Sequence, residues 1–329
     1  MTFHLIRRAT LACAAAAAAA TAAPAIAQDG WPTEPVHVYV GFPAGSSPDV
    51  LARIVTDQLS QRLGQPIVIE NRPGAGGVIG IQQMLASAGD GHTFGTTING
   101  PLTTAQRMMD STGYDVSADI APVTLIATSP LVLAVSTAGE IADLDGFIAA
   151  AGAEPEAIAY GSVGQGSGAH LTPELFAAEA GVTMLHIPFT SYAEVTTSIL
   201  GGEIDAGFMA PSAALPFVEA GTMRMLGITS TEPFAQAPDV PVLAGNAGLP
   251  DDFRAELWNA FIAPAGTDPA IIERLNTEIA EILADPAVQE QLLAIGWQAA
   301  PGTPAQLAER IEADTAMWGA VIDRVEAQQ

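Results

Sequence analysis

The stretch VHVYVGFPAGSSPDVLARIVTDQLSQRLG, residues 36–64, decides what kind of fold to expect. Val36, Val38 and Val40 alternate with His37 and Tyr39, the period of a strand. The loop Gly41-Phe42-Pro43-Ala44-Gly45-Ser46-Ser47 follows, and Ser47-Pro48-Asp49 opens a helix, with Ser47 as N-cap, Pro48 at the first position and an acid in the first turn. Leu51, Ile54, Val55, Leu59 and Leu63 give that helix one apolar face, and Gly64 stands where it should end. Ile67-Val68-Ile69 is the next strand, a glycine-rich turn follows, and Ile79 to Leu85 is helical again. Strand, helix, strand, helix with short connections predicts a parallel α/β sheet covered by helices.

Further along, the same logic repeats. Leu131 to Val135, Ile158-Ala159-Tyr160 and Ile204 to Met209 read as strands, and His170 to Glu179 reads as a helix. Ser191 with Glu194 forms a capping-box pattern for a helix through Leu200. Three helices are expected in the tail, over 268–284, 286–295 and 304–326. The chain has 329 residues, which suggests two domains.

Composition removes several functions. There are 36 acidic residues against 11 basic ones, a net charge of -25, and every basic residue is arginine. Without lysine there is no Walker-A phosphate loop, no pyridoxal Schiff base and no protein-kinase ion pair. A polyanion would meet a like-charged surface with no basic run, which excludes nucleic acid as a partner. Residues 1–27 carry Arg7 and Arg8, an alanine-rich apolar run and Ala25-Ile26-Ala27, the pattern of a secretory signal peptide cleaved before Gln28. The lone cysteine, Cys13, falls inside that segment, so cleavage leaves no disulfide and no thiolate metal site. It also removes two arginines, leaving nine against all 36 acids and a net charge of -27. A soluble periplasmic protein is the expected product.

Three loops share one design of strand, small-residue turn and helix N-terminus: Gly41–Ser47, Asn71–Gly77 and Gly161–Gly168. Small residues let backbone approach a ligand, and the unpaired N–H groups of a first helical turn favour an anion. Ser46, Ser47, Ser162, Ser167 and Thr190 add neutral donors. One such loop is an ordinary connection; three together point to a small-anion site at the strand C-termini. Enzyme chemistries fare worse. Ser162 and Ser167 lack the G-x-S-x-G elbow, and His37, His92, His170 and His186 show no metal-ligand spacing. Asp49 and Asp205 are candidate paired carboxylates, but Asp49 is explained as a first-turn helix acid. Nothing calls for a cofactor or a metal.

With these loops in view, the chain resembles the periplasmic solute-binding receptors of tripartite tricarboxylate transporters, the extended Bug family. The resemblance is carried by GFPAGSSPDVLAR (41–53), LGQPIVIENRPGAGGVIG (63–80), GDGHTFGTT (89–97), APVTLIA (121–127), YGSVGQGSGAHLTPELF (160–176), HIPF (186–189), LGGEIDAGF (200–208) and APAGTDPAIIERLNTEIAEILADPAVQEQL (263–292). It implies an α/β, type II-like periplasmic-binding-protein fold with two lobes joined by a hinge, each a mainly parallel sheet flanked by helices. Lobe 1 would comprise 28–128 plus 226–329, and lobe 2 would comprise 129–225. It further implies a monomer that closes on a small carboxylate, di- or tricarboxylic or aromatic, and delivers it to integral-membrane permease subunits. Carried onto this chain, the ligand-binding positions are Phe42, Pro43, Ala44, Gly45, Ser46, Ser47, Gly76, Gly77, Thr97 and Asn99 on the first lobe. On the second they are Ser162, Gly164, Gly166, Ser167, His170, Pro188, Phe189, Thr190, Phe208 and Met209. A receptor docking on a periplasmic sensor kinase is the alternative reading.

Three departures from the family pattern bear on the ligand. Ala44-Gly45-Ser46-Ser47 stands where relatives often carry more glycine, and Thr190-Ser191 stands where a basic residue and glycine often follow the HIPF-like block. Met209 stands where some relatives carry an acid, which argues against an amino-acid ligand and for an apolar or aromatic body. Arg72, the one cation inside a candidate loop, is expected to be structural.

Overall fold

Alternation along residues 36–40 does bury one side of a strand. Val36, Val38 and Val40 of β1 (Val36–Val40) are fully inaccessible, while His37 and Tyr39 keep partial exposure. The computed structural model describes residues 30–87, 89–164 and 167–327; those from Glu34 onward form one compact unit, to which the following refers. The expected signal segment with Cys13, and the candidate Gly166, lie outside the described residues.

In chain order, α1 (Ser47–Leu63), β2 (Ile67–Asn71), α2 (Val78–Leu85), β3 (Thr93–Ile98) and β4 (Ile120–Pro130) come first. Then follow β5 (Val132–Ser136), α3 (Leu144–Ala153), β6 (Ala159–Ser162), α4 (Gly168–Ala180), β7 (Leu185–Pro188), α5 (Tyr192–Gly201), β8 (Ala206–Met209), α6 (Pro211–Glu219) and β9 (Met223–Ile228). The last group is β10 (Glu256–Pro264), α7 (Pro269–Leu283), α8 (Pro286–Ala294), β11 (Gln298–Ala299) and α9 (Pro304–Ala327).

Two sheets result, in the orders β11-β4-β10-β3-β1-β2 and β7-β6-β8-β5-β9. Both are mixed. β1 pairs parallel with β2 and β3, and β6 pairs parallel with β7 and β8, as strand-helix-strand crossovers require. Antiparallel pairing enters through β10 against β3 and β4, and through β5 against β8 and β9. Thus the parallel part of each sheet matches the expectation, and β10 and the five-residue β5 add the antiparallel part.

The chain passes between the sheets twice, from β4 through Leu131 into β5, and from β9 through the segment 229–255 into β10. Thr229 ties the two passages together. Its buried hydroxyl accepts from the Leu131 N–H at 2.8 Å and donates to the Ala255 carbonyl at 2.6 Å, and its N–H donates to the Leu131 carbonyl at 2.9 Å. A third connection is α9. Leu307 and Ile311 in its first half pack into the core under β10, with Trp258 and Ile262. Trp318, Val321 and Ile322 in its second half pack into the core of the second sheet, with Phe176 and Phe208. The same core takes in Leu243, Leu249 and Phe253, so the material packed around the second sheet extends well past residue 225.

Four helices start at a side-chain N-cap. Asp143, Ser191, Asp268 and Asp285 each accept a backbone N–H at their N-cap. At α1 the N-cap is Ser46 rather than Ser47, one residue earlier than the Ser-Pro-Asp pattern implied, and its hydroxyl donates back to the Pro43 carbonyl at 2.6 Å. Among the described residues no helix is long and apolar enough to cross a membrane.

Candidate functional site

The strand C-termini of the first sheet bring three loops into contact, and glycine makes the approach possible. A Cβ on Gly41 would lie 2.3 Å from the Gly77 carbonyl oxygen, so the first and second loops touch backbone to backbone. A Cβ on Gly77 would meet the Phe42 ring at 2.8 Å and Pro101 at 2.9 Å. Phe42, Gly77 and the turn after β3 that starts at Asn99 therefore form one surface. Gly45 and Gly76, at φ +82° and +63°, adopt left-handed backbone with open space before them.

Asp49 holds this surface in shape. It is 1% exposed, accepts the Gly45 N–H at 2.8 Å, the Arg53 guanidinium at 2.9 Å and the Asn71 amide at 2.8 Å. Asn71 in turn donates to the Phe42 carbonyl at 3.0 Å, linking the second loop to the first. Burial by itself raises the Asp49 carboxyl, but the bonds from Arg53, Gly45 and Asn71 outweigh it and hold it below its ordinary value. Asp205 sits on the other sheet and accepts from the Ala159 N–H at 2.8 Å, so each of the two acids has a separate structural task. Arg72 pairs with Glu70 at 2.7 Å, in keeping with a structural role.

On the second sheet, the glycine-rich loop after β6 rests on a stack of rings. His186 lies between Tyr160, at 5.0 Å between ring centres, and His170, at 4.1 Å. Its Nε2 is 2.7 Å from the Ser162 hydroxyl, and that hydroxyl is also 3.3 Å from the Gly164 carbonyl. Burial, and then the neighbouring His170, push His186 down to about 4, and burial also lowers His170 against the pull of Glu174. The Tyr160 hydroxyl donates to Glu174 at 2.6 Å. A Ser–His pair of this kind is a poor nucleophile. Ser162 is wholly buried, and a histidine held neutral to about pH 4 is a weak base.

The remaining candidates divide clearly. Ser167 caps α4 and its hydroxyl donates to the Gly164 carbonyl at 2.7 Å. The first turn of α4 offers the N–H groups of Gly168 and Ala169, as α1 offers those of Ser47 and Asp49. Pro43, Ala44 and Ser47 are exposed, and Thr97 is buried. Pro188 is exposed, whereas Phe189 lies over Gly161 and packs partly into the core. The N–H and hydroxyl of Thr190 are both taken by Glu194, at 2.9 Å, within the cap of α5. Phe208 and Met209 are fully buried on opposite faces of β8, the first against Phe176 and the second beside Ile199 and Val195.

Between the two sheets lies a cavity of about 290 Å³. Ile98, Asn99, Gly100 and Thr104 line it from the first sheet, and Ser167, Gly168, Leu171 and Thr172 from α4. Leu131, Ala255, Glu256 and Leu257 close it where the chain crosses, and Trp318 of α9 completes the wall. Asn99 and Ser167 are the two sequence candidates it brings together. The crossing residues and Trp318 carried no sequence signal, because they come from three segments far apart in the chain. A larger cavity of about 740 Å³ lies away from these loops, between the segment 102–122 and α9. The loop chemistry makes the smaller one the candidate site. No group of side chains among the described residues is arranged to hold a metal ion.

The chain is similar to known proteins over most of its length. Residues 51–327 match the model of the tripartite tricarboxylate transporter family receptor. Protein BugT of Bordetella pertussis is 36% identical over 298 residues, covering 90% of this chain and 91% of its own. Among solved structures, Rhodopseudomonas palustris Rpa4515 with adipate is similar at a TM-score of 0.70 and 30% identity, covering 89% of this chain and 98% of that one. MatC from Rhodopseudomonas palustris with bound malate is similar at a TM-score of 0.66 and 27% identity, covering 89% and 100%. This chain belongs to the tripartite tricarboxylate transporter receptor family, whose members are periplasmic solute-binding receptors and not enzymes.

Proposed function

We propose that this receptor captures a small organic carboxylate in the cavity between its two sheets and hands it to the integral-membrane permease subunits of a tripartite transporter. The observation that carries the reading is the cavity itself, walled from both sheets and bordered by the N-terminus of the 13-residue helix α4. A helix N-terminus places partial positive charge and unpaired N–H groups at an anion without any lysine. The similar Rpa4515 and MatC structures hold adipate and malate, which are small carboxylates.

Mechanistically, the protein works as two lobes, one built on each sheet, that close on the acid. An acid touching both lobes stabilises the closed arrangement by its differential affinity, and no bond is made or broken. Ile98, Asn99, Gly100 and Thr104 take one side of the ligand, and the loops Phe42 to Ser47 and Gly76 to Gly77 support the turn that starts at Asn99. Ser167, Gly168, Leu171 and Thr172 take the other, and Phe208, packed on Phe176 of α4, belongs to the core beneath that helix. The chain acts as a monomer in the periplasm, exported by cleavage of residues 1–27.

A thermal-shift screen against mono-, di-, tricarboxylic and aromatic acids tests this. A ligand at a hundredfold excess over its Kd adds about 2.7 kcal/mol to stability. At least one acid should raise the melting temperature by several degrees. A panel in which none does so refutes the reading.

A further inference from the structure

The larger cavity, of about 740 Å³ between the segment 102–122 and α9, has no task in the capture of a ligand. It is an open groove, since Gln106, Asp115, Ser117, Glu312, Thr315 and Ala316 on its walls are all exposed. Its floor is apolar, made by Leu102, Ile120 and Ile311. On α9 the lining positions are 308, 311, 312, 315 and 316, one stripe at three- and four-residue spacing. At ~1.5 Å per residue that stripe is about 12 Å long. Alanine at 308 and 316 keeps it low, and the Arg107–Asp323 ion pair joins the two walls beyond its C-terminal end.

Charge decides which occupant fits. Asp115 and Glu312 stand on opposite walls, and no arginine or histidine among the described residues lines the groove. The Ser117 hydroxyl and the N–H groups of Ala118 and Ser117 hold Asp115 below its ordinary value, so its wall stays charged at neutral pH. Arg107, next along the same segment, is engaged by Asp323. A second copy of this chain, with 36 acids against 11 arginines, would bring acid against acid. An anionic lipid surface would be repelled in the same way. A segment with an apolar stripe and a basic side chain complements both the floor and the charged walls.

We propose that this groove is the docking site for a membrane subunit of the transporter. Its occupant is a periplasmic segment of that subunit, which lays an apolar stripe on Leu102, Ile120 and Ile311 and a lysine or arginine against Asp115 and Glu312. This rests on the reading above, that the receptor hands its acid to permease subunits. The position suits the task. Leu102 and Gln106 of the groove flank Thr104 of the ligand cavity, and Ala316 of the groove lies two residues from Trp318 of that cavity. Because α9 packs into both cores, the docked segment rests on the helix that spans them.

The test reconstitutes the membrane subunits in phosphatidylcholine vesicles and follows uptake of a labelled acid, one that the thermal-shift screen shows to bind, against receptor concentration. Glu312→Arg reverses a wall charge and Ala308→Trp fills the groove. Each should raise the receptor concentration for half-maximal uptake about tenfold or more. Glu290→Arg, an equal charge change at an exposed position of α8, should alter it by about twofold or less. Calorimetric affinity for the acid should stay within about twofold of wild type in all three, which also reports their folding. A cross-link gives a second reading that needs neither of the groove variants. Expressed without residues 1–27 the chain has no cysteine, so a benzophenone attached at Thr315→Cys sits in the groove alone. It should label a membrane subunit, and one attached at Glu290→Cys should not. The proposal is overturned if both groove variants drive uptake at wild-type concentrations, if Glu290→Arg impairs uptake equally, or if the Thr315→Cys probe labels a second receptor or nothing. Receptor-dependent uptake that ignores the groove removes this inference and leaves the receptor reading intact. An acid that binds but is taken up no faster with receptor present removes the handover to a permease, and this inference with it.

Discussion

The Nε2 of His186 lies 2.7 Å from the Oγ of Ser162, and this bond seats the glycine-rich loop on a buried ring stack. The pair explains why a loop of small residues can hold one shape: its floor is fixed by groups that stay neutral. Burial, with His170 alongside, holds His186 near 4, so protonation is refused until well into the acid range.

Stability should therefore fall on acidification through a defined window. Above about pH 6.5 His186 is neutral in both folded and unfolded chains and contributes no slope. Between about 6.5 and about 4 the unfolded chain binds a proton that the folded one refuses, so stability drops as pH falls. After allowance for partial exposure the loss is about 1–3 kcal/mol. Urea unfolding of the wild-type chain and of His186→Gln at both ends of this window measures it. The variant should show a visibly shallower decline, and an identical decline would assign the pH dependence elsewhere.

Asp49→Ala should damage the first loop more than an ordinary surface change. It leaves the Gly45 N–H, the Asn71 amide and the Arg53 guanidinium without their acceptor. We expect roughly 2–3 kcal/mol of destabilisation, and weaker ligand binding in the fraction that folds. Denaturant titration with parallel calorimetry separates the two effects.

Two glycines in the same loop should respond unequally. Gly41→Ala drives a methyl group into the Gly77 carbonyl at 2.3 Å and must push the two loops apart. Gly45→Ala meets open space and carries only the strain of φ +82°, on the order of 1 kcal/mol. Melting temperatures should rank Gly41→Ala well below Gly45→Ala, and binding should follow the same order.

Thr229→Val keeps the shape of the side chain and removes its hydroxyl from between the two crossing segments. The Leu131 N–H then loses its 2.8 Å acceptor and the Ala255 carbonyl its 2.6 Å donor. The expected cost is about 1–3 kcal/mol. Hydrogen exchange should locate the faster opening at residues 129–132 and 253–257 rather than across the sheets.

Parts of this structure were plain in the sequence, and the reasons are local. The run from Val36 to Leu63 shows its strand and helix because each buries one face, so periodicity reports burial directly. The α1 cap is displaced by one residue because Ser46 and Ser47 both suit the position. β4 and β10 were not read as strands. Pro122 interrupts the first, and the second is buried on both faces from Trp258 to Pro264 with Asn259 among the apolar residues, so it shows no alternation. At the site, the glycines of the three loops were legible as turn and close-approach residues. The stack of Tyr160, His170 and His186, and the approach of Trp318 to α4, depend on tertiary packing between distant segments. Thr190 illustrates the converse, since a hydroxyl counted as a free donor is occupied by its own helix cap.

The central claim is that one acid binds between the two sheets, and isothermal titration of the wild-type chain, Asn99→Ala and Ser167→Ala tests it most directly. Asn99 and Ser167 line the cavity from opposite sides. The account predicts one acid bound per chain and a loss of affinity of about fivefold or more, near 1 kcal/mol, in each variant. Carboxylate binding that is unchanged in both variants, or no carboxylate binding at all, would contradict it.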